Sequence, residues 1–296
     1  MKLEKKDLKI GFIGLGVMGK SMAGHLLKDG YALYVYNRTP GKAEELVSNG
    51  AIWIDSPAEI AKQCNCIITI VGYPKDVEEV YFGEHGLIQH AATNSVLIDM
   101  TTSDPSMAQR IHAEAKEKNI YSLDAPVSGG DVGAREARLS IMVGGDNEVF
   151  EAVLPIFNVM GNNINYLGKA GSGQHTKMAN QIAIASGMLG ITEAMIYAQK
   201  SGLDPEQVIH SIENGAAGSW SLSNLAPRMI KGNFDPGFYV KHFIKDMKIA
   251  IDSAEKLSVD MPGLNLAKSL YDRLVNEGGA NLGTQSLFKL YDKNSN

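Results

Sequence analysis

Three short stretches of this sequence carry residue types that could do chemistry together. The first reads Gly14-Leu15-Gly16-Val17-Met18-Gly19 and directly follows the apolar run Ile10 to Ile13. Gly14 permits a tight strand-to-helix turn. Gly16 has no Cβ to hold the backbone away from a pyrophosphate, and Gly19 lets helix and strand pack closely. The helix that opens here, running to about Lys28, offers unpaired N–H groups and a positive dipole end to phosphates. Strand, glycine turn, helix and second strand are all present, which predicts a dinucleotide site at residues 14–19. The bland alternative is a tight turn between packed elements. The second strand ends at Asn37-Arg38-Thr39, where an acidic residue would accept hydrogen bonds from the ribose 2′-OH of NAD. A neutral Asn37 followed by Arg38 and Thr39 suits a 2′-phosphate instead. The expected cofactor is therefore NADP, with NAD as the second choice.

The other two stretches carry polar groups in apolar settings. Residues 171–181 read Gly-Ser-Gly-Gln-His-Thr-Lys-Met-Ala-Asn-Gln. Lys177, Asn180 and Gln181 stand at i, i+3 and i+4 and share one helical face. A lysine on an otherwise apolar helix must be paired or functional, and desolvation disfavours its ammonium form. Such an amine can take a proton from an alcohol or return one to an alkoxide. A surface lysine in a first helical turn is the alternative. His175, two residues away, does not share that face. Asp124-Ala125-Pro126-Val127-Ser128-Gly129-Gly130 follows a strand-like run and should lie at the sheet edge where open α/β sheets bind ligands. The Ser128 hydroxyl and the N–H groups of Gly129 and Gly130 could cradle a carboxylate. An ordinary Pro/Gly turn is the alternative.

The elements that must position these groups follow from the hydrophobic rhythm. Short β-rich runs occur at Leu8 to Ile13, Tyr31 to Tyr36, Cys66 to Val71, Ser95 to Met100 and Leu139 to Val143. Helical patterns lie between them, at Gly41 to Ser48, Pro57 to Gln63 and Pro105 to Lys118. This alternation predicts parallel βαβ units, with strands apolar on both faces. After Gly168 the rhythm changes. A long helix from Gln174 to Lys200, with small residues at Ala179, Ala183, Gly187 and Gly190, should be buried on most sides. Further helices are expected at Asp204 to Asn214, Asp246 to Leu257 and Leu264 to Asn276, with no strand. The expected fold is α/β: a Rossmann-type doubly wound sheet domain over 1–168, then an all-helical substrate and dimerisation domain over 169–296.

Bulk properties narrow the partners. A chain of 296 residues fits two domains, and its 44% hydrophobic and 21% charged residues are those of a globular protein. A net charge of -5 argues against a nucleic-acid partner. The two cysteines, Cys64 and Cys66, read as buried thiols in a reducing compartment rather than a disulfide or metal site. The N-terminus, Met1 to Asp7, has no apolar core of a signal peptide, and no run approaches the roughly 18 apolar residues of a membrane span. A cytoplasmic protein without membrane, nucleic-acid or metal partners is expected. The apolar helices of the second half suggest a homodimer or homotetramer.

Taken in order, these motifs resemble the β-hydroxyacid dehydrogenase family of 3-hydroxyisobutyrate dehydrogenases and tartronate, glyoxylate and succinic semialdehyde reductases. The likeness rests on Phe12 to Gly19 with Met22 after it, on Asp124 to Gly130, and on Gly171 to Gly173 with Lys177, Asn180 and Gln181. Lys245-Asp246, followed by helix, completes the set. The resemblance implies hydride transfer between a nicotinamide and a small hydroxy acid or its semialdehyde, with Lys177 as general acid and base. It implies that Ser128, Gly129 and Gly130 hold the substrate carboxylate, that Asn180 or Gln181 binds a substrate oxygen, and that Val71, Gly72 and Thr102 pass under the cofactor. Lys245 would reach the nicotinamide end, and the substrate would sit between the domains. The chain departs from many relatives in having Val71-Gly72 rather than Leu-Pro, and Gln181 where several have Asn. Imine reductases share the architecture but usually lack the lysine. A dinucleotide-binding protein without chemistry would need neither Lys177 nor Ser128.

Overall fold

The apolar runs of the first half become the strands of one sheet. The computed structural model describes residues 4–292, and the chain divides into two units, Met1–Lys177 and Met178–Asn296. Among the described residues of the first unit the strands are β1 (Lys9–Ile13), β2 (Ala32–Tyr36), β3 (Ile52–Trp53), β4 (Cys66–Thr69), β5 (Val96–Asp99), β6 (Tyr121–Asp124), β7 (Val127–Ser128), β8 (Leu139–Gly145) and β9 (Gly161–Tyr166). Between them run α1 (Gly19–Lys28), α2 (Glu44–Ser48), α3 (Pro57–Gln63), α4 (Pro74–Phe82), α5 (Leu87–His90), α6 (Pro105–Glu117), α7 (Gly130–Arg135) and α8 (Asn147–Phe157). The sheet order is β3-β2-β1-β4-β5-β6-β8-β7, with β9 beside β8. Strands β1 to β6 are parallel, as expected, whereas β8 runs antiparallel to β6. The order reverses between β1 and β4, which makes the ends of those two strands the switch point of a doubly wound sheet.

Local chemistry explains many boundaries. Strands β4 and β5 are buried at every residue, and alternate side chains feed two cores, Ile68 and Ile98 one, Ile67 and Leu97 the other. Helices cover both faces. Helix α3 starts where Ser56 caps the Glu59 N–H and Pro57 takes the first position. Asp104 and Pro105 start α6 in the same way. Two elements defeat the pattern for identifiable reasons. Helix α8 carries Pro155 in its interior, which normally argues against a helix. Strand β9 is rich in Gly and Asn, which strands usually avoid. Cys64 and Cys66 are free and buried, and burial pushes each thiol up to about 12.

Among the described residues of the second unit the regular elements are helices, beside one isolated antiparallel bridge between Tyr239 and Gly283. Helix α9 (Ser172–Lys200) begins in the first unit and continues through the second, followed by α10 (Pro205–Ile212), α11 (Trp220–Ile230), α12 (Val240–Lys256) and α13 (Pro262–Asn276). Helix α12 starts six residues before the expected Asp246. By length and composition alone α9 passes for a membrane span, as long core helices of globular proteins also do. Its apolar side chains are divided between two cores of the second unit. Met178, Ala185 and Leu189 join Val240, Phe243 and Met247, while Met188, Ile191 and Met195 join Ile209, Leu222 and Leu225. The small residues Ala179, Ala183, Gly187 and Gly190, expected to be covered, are exposed in the single chain.

A buried polar cluster lies under the switch point. Thr69 Oγ1 donates to Asp99 Oδ1 (2.9 Å) and lies 3.0 Å from the Tyr81 hydroxyl, and the Thr101 N–H donates to the same Asp99 oxygen at 3.1 Å. Burial pushes the Asp99 carboxyl up to about 6, against the hydrogen bonds from Thr101 and Thr69 and aided by Asp124 on the neighbouring strand. A carboxyl raised in the fold favours the folded state most below its ordinary range near 4, and loses that contribution as pH rises through about 6. An Asp99→Asn variant keeps the acceptor oxygen and never ionises. In urea denaturation at pH 4 and again at neutral pH, its stability relative to wild type should rise by about 3 kcal/mol at most. A difference independent of pH, or one of opposite sign, refutes the assignment.

Candidate active site

The glycine turn is built by close backbone approach at the switch point. Gly14 has φ 101°, and a Cβ there would run into the Ile70 carbonyl oxygen at the end of β4. A Cβ on Gly19 would strike the Gly14 carbonyl oxygen, whereas no heavy atom lies within 4 Å of where a Gly16 Cβ would stand. Two glycines therefore close the turn and the third keeps its outer side open. Leu15, Val17 and Met18 complete the turn, with Leu15 buried and Val17 exposed. Asn37 shapes it from β2: its Oδ1 accepts from the Leu15 N–H (2.9 Å) and its Nδ2 donates to the Thr39 carbonyl (2.9 Å). An open, Cβ-free turn ahead of α1 fits a pyrophosphate, because the first helical N–H groups have no partner within the helix.

Arg38 extends from the same strand end. Its Nη1 lies 2.9 Å from Asp76 Oδ1, with the guanidinium side chain 77% exposed and the carboxylate 8%. Asp76 Oδ2 also accepts from the Tyr73 N–H at 3.0 Å, capping α4. The sequence reading found no acid near residue 38 along the chain, but the fold brings one from α4. Next along the edge, the Val71 N–H donates to Thr101 Oγ1 (2.9 Å), so Val71-Gly72 and the segment with Thr102 form one connected rim.

The start of α9 is fastened to that rim. Asp124, at the end of β6, accepts from the Gly171 N–H through Oδ1 and the Gln174 N–H through Oδ2, both at 2.8 Å. Burial raises the Asp124 carboxyl while these backbone bonds hold it down. Gln174, fully buried, donates through Nε2 to the Thr101 carbonyl (2.7 Å) and accepts the Ser103 N–H through Oε1 (3.0 Å). Gly173 needs to be glycine, because a Cβ would run into the Met142 carbonyl oxygen of β8. Lys177 follows one turn later and is only 7% exposed. Strand β8 also pairs Ser140 with Ser128, so the 128–130 segment and the head of the lysine helix both rest on it. Gly129 and Gly130 have φ 132° and 64°, and the space around a Gly130 Cβ is open.

The second unit holds its own buried network. Asn180 Nδ2 donates to Gln181 Oε1 (2.7 Å), and Gln181 Nε2 donates to Asp246 Oδ2 (2.6 Å). Asp246 Oδ1 lies 3.0 Å from Lys245 Nζ. Gln181 and Lys245 thus meet at Asp246, a residue to which the sequence reading gave no role of its own. His242, one turn earlier on α12, is lowered by burial and then by Lys245 and Lys241. Gln174 and Asp99 were also missed. Two signals could have found these residues. Gln174 stands at i−3 from Lys177 on the same stripe, and Asp246 interrupts the apolar stripe of Phe243, Met247 and Ala250.

A Rossmann sheet with an open glycine turn and a helical second unit defines an NAD(P)-binding oxidoreductase architecture. Residues 9–168 match the family described as the NAD binding domain of 6-phosphogluconate dehydrogenase. Residues 171–291 match the NAD-binding region of NADP-dependent 3-hydroxyisobutyrate dehydrogenase. The chain is 64% identical to Uncharacterized oxidoreductase YkwC of Bacillus subtilis (strain 168), covering 96% of this chain and 99% of the relative. It is 38% identical to the 2-hydroxy-3-oxopropionate reductase of Escherichia coli (strain K12), covering 98% and 99%. The structure of Mycobacterium tuberculosis 3-hydroxyisobutyrate dehydrogenase with L-serine superposes with a TM-score of 0.88 at 27% identity, covering 96% of this chain and 98% of that one. The chain belongs to the β-hydroxyacid dehydrogenase family, the NAD(P)-dependent 3-hydroxyacid dehydrogenases and semialdehyde reductases.

The turn geometry separates fold from binding. Gly16→Ala should leave the melting temperature at the wild-type value, since the added methyl meets nothing; if the open turn receives the cofactor phosphates, it should also weaken NADPH binding about ten-fold or more. Gly19→Ala should instead destabilise the protein. Fluorescence titration with NADPH beside thermal melts checks both, and full cofactor affinity in Gly16→Ala would count against the site.

Proposed function

We propose that this chain interconverts a small β-hydroxy acid of the 3-hydroxyisobutyrate type and its semialdehyde, with Lys177 giving and taking the proton on the reacting oxygen. The observation that carries the reading is a buried lysine, 7% exposed as a residue, one turn beyond a helix start fastened to the sheet edge by Asp124 and Gln174. The names of the relatives support the substrate class: one is a reductase of 2-hydroxy-3-oxopropionate, and a structural neighbour carries L-serine, itself a 3-hydroxy acid. Ser128 and the N–H groups of Gly129 and Gly130 grip the carboxylate, and Asn180, braced by Gln181, turns its amide to the substrate. Lys177 hydrogen-bonds the reacting oxygen, removing its proton in oxidation and protonating it in reduction. Nicotinamide, when bound, supplies or takes up the hydride. The glycine turn at 14–19, Asn37, Arg38, Thr39, Val71, Gly72, Thr102 and Lys245 form the cofactor set of this proposal.

NADP is the preferred form in this reading, with Arg38 as the partner of the 2′-phosphate. The division into a cofactor domain over 1–168 and a substrate domain over 169–296 is kept as the functional one. The exposed small-residue stripe of α9, with Tyr197 74% exposed beyond it, supports association into a homodimer or homotetramer. The cytoplasm is the compartment proposed, without membrane or nucleic-acid partners.

Two variants test the roles. Lys177→Ala should lower turnover about 10² to 10⁴-fold with NADPH affinity nearly intact, measured by nicotinamide absorbance with a panel of semialdehydes. Retained turnover removes Lys177 from the mechanism. Arg38→Ala should raise the KM for NADPH about ten-fold and leave that for NADH nearly unchanged. Equal effects on both cofactors remove the 2′-phosphate role.

A further inference from the structure

Two buried polar side chains hold the turn that precedes Lys177: Gln174, three residues before it on α9, and Asp124, at the end of β6. Asp124 is 4% exposed and Gln174 0%. The side-chain bonds of both run to backbone groups. The Asp124 carboxylate closes the N-terminus of α9 through Gly171 and Gln174. The Gln174 amide spans to the segment after β5, taking Ser103 N–H and giving to Thr101 carbonyl. Thr101 in turn receives the Val71 N–H and donates its own to Asp99. Glycines remove every Cβ that would prop the helix away: on Gly173 it would meet the Met142 and Asp124 carbonyl oxygens, and on Gly144 the Asp124 carboxylate.

We propose that Asp124 and Gln174 are positioning residues for Lys177, fixing the first turn of α9 against β6, β8 and the 101–103 segment so that the amine is held relative to the rim of the sheet. The inference rests on the role given to Lys177 above. With that first turn frayed, the Lys177 side chain one turn on would sweep through several positions, and displacement by an ångström can cost two orders of magnitude in rate. Helix ends fray unless their N–H groups are satisfied. Here a carboxylate does this for two of them, while an amide ties the same turn to the neighbouring strand end.

The test compares Asp124→Asn, Gln174→Met and Lys177→Ala in the full chain. Asparagine keeps the volume but sets an NH₂ group against one backbone N–H. Methionine keeps the length of Gln174 and loses both its bonds. Rates are read as kcat per NADPH-binding site, from titrated stoichiometry, so that a reduced folded fraction does not register. Asp124→Asn should lower kcat at least ten-fold and Gln174→Met several-fold, with the dissociation constant for NADPH within two-fold of wild type. If Asp124→Asn does not fold, Gln174→Met decides alone. A kcat per site within two-fold of wild type, or a loss matched by weaker NADPH binding, overturns the inference. If Lys177→Ala also retains turnover, the lysine mechanism falls as well. If it abolishes turnover while the other variants are unaffected, only the positioning role falls.

Discussion

A buried carboxylate on the N-terminus of a 29-residue helix is the constraint on which the candidate site depends. The first N–H groups of any helix lack partners inside it, and the helix dipole makes that end positive. Asp124 answers both requirements from the end of β6. The cost of removing its charge from water shows in the raised carboxyl, and the backbone bonds it accepts are what make that burial tolerable. This one contact explains why residues 144 and 173 must be glycine: a helix held this close to two strands leaves no room for a Cβ.

The cofactor edge follows from a second steric rule. The strand order reverses between β1 and β4, so the chain leaving β1 must turn over the end of its neighbour. Gly14 makes that turn in a left-handed conformation beneath the Ile70 carbonyl. Asn37 then fixes the turn by accepting the Leu15 N–H, a structural task in addition to any contact with ligand. Arg38 keeps its exposed guanidinium on a buried acid, which sets its starting position. An exposed cation beside a carboxylate gains little stability from the pair, so the contact bears on where the guanidinium points more than on how firmly the fold holds.

In the second unit, Asp246 gathers Gln181 and Lys245 into one buried network. An ion pair away from water is tolerable only when the remaining lone pairs are used, and the Gln181 amide meets that need on the second carboxylate oxygen. Gln181 is thereby committed to its own unit, and Asn180, hydrogen-bonded to it, is the amide whose orientation the network sets. The sequence left the two amides as equals; in the fold Gln181 donates to Asp246 and Asn180 donates to Gln181.

Much of this was legible along the chain because it depends on local rules. The glycine spacing at 14–19, the apolar strands β4 and β5, and the Pro-led starts of α3 and α6 follow from backbone sterics and capping within a few residues. The lysine on an apolar helix, and the family to which the four motifs belong, were readable for the same reason. What the sequence could not supply was anything set by residues far apart in the chain. Asp124 lies 47 residues from Gly171, Arg38 lies 38 from Asp76, and Gln181 lies 65 from Asp246. Strand β9 and helix α8, which violate local preference, exist because pairing with β8 and burial of Phe150, Val153 and Phe157 outweigh it. Local pattern determined most of the elements and singled out the lysine. Tertiary packing alone decided which buried acid and amide fasten the start of its helix, because partners for buried polar groups are chosen by proximity in space and not along the chain.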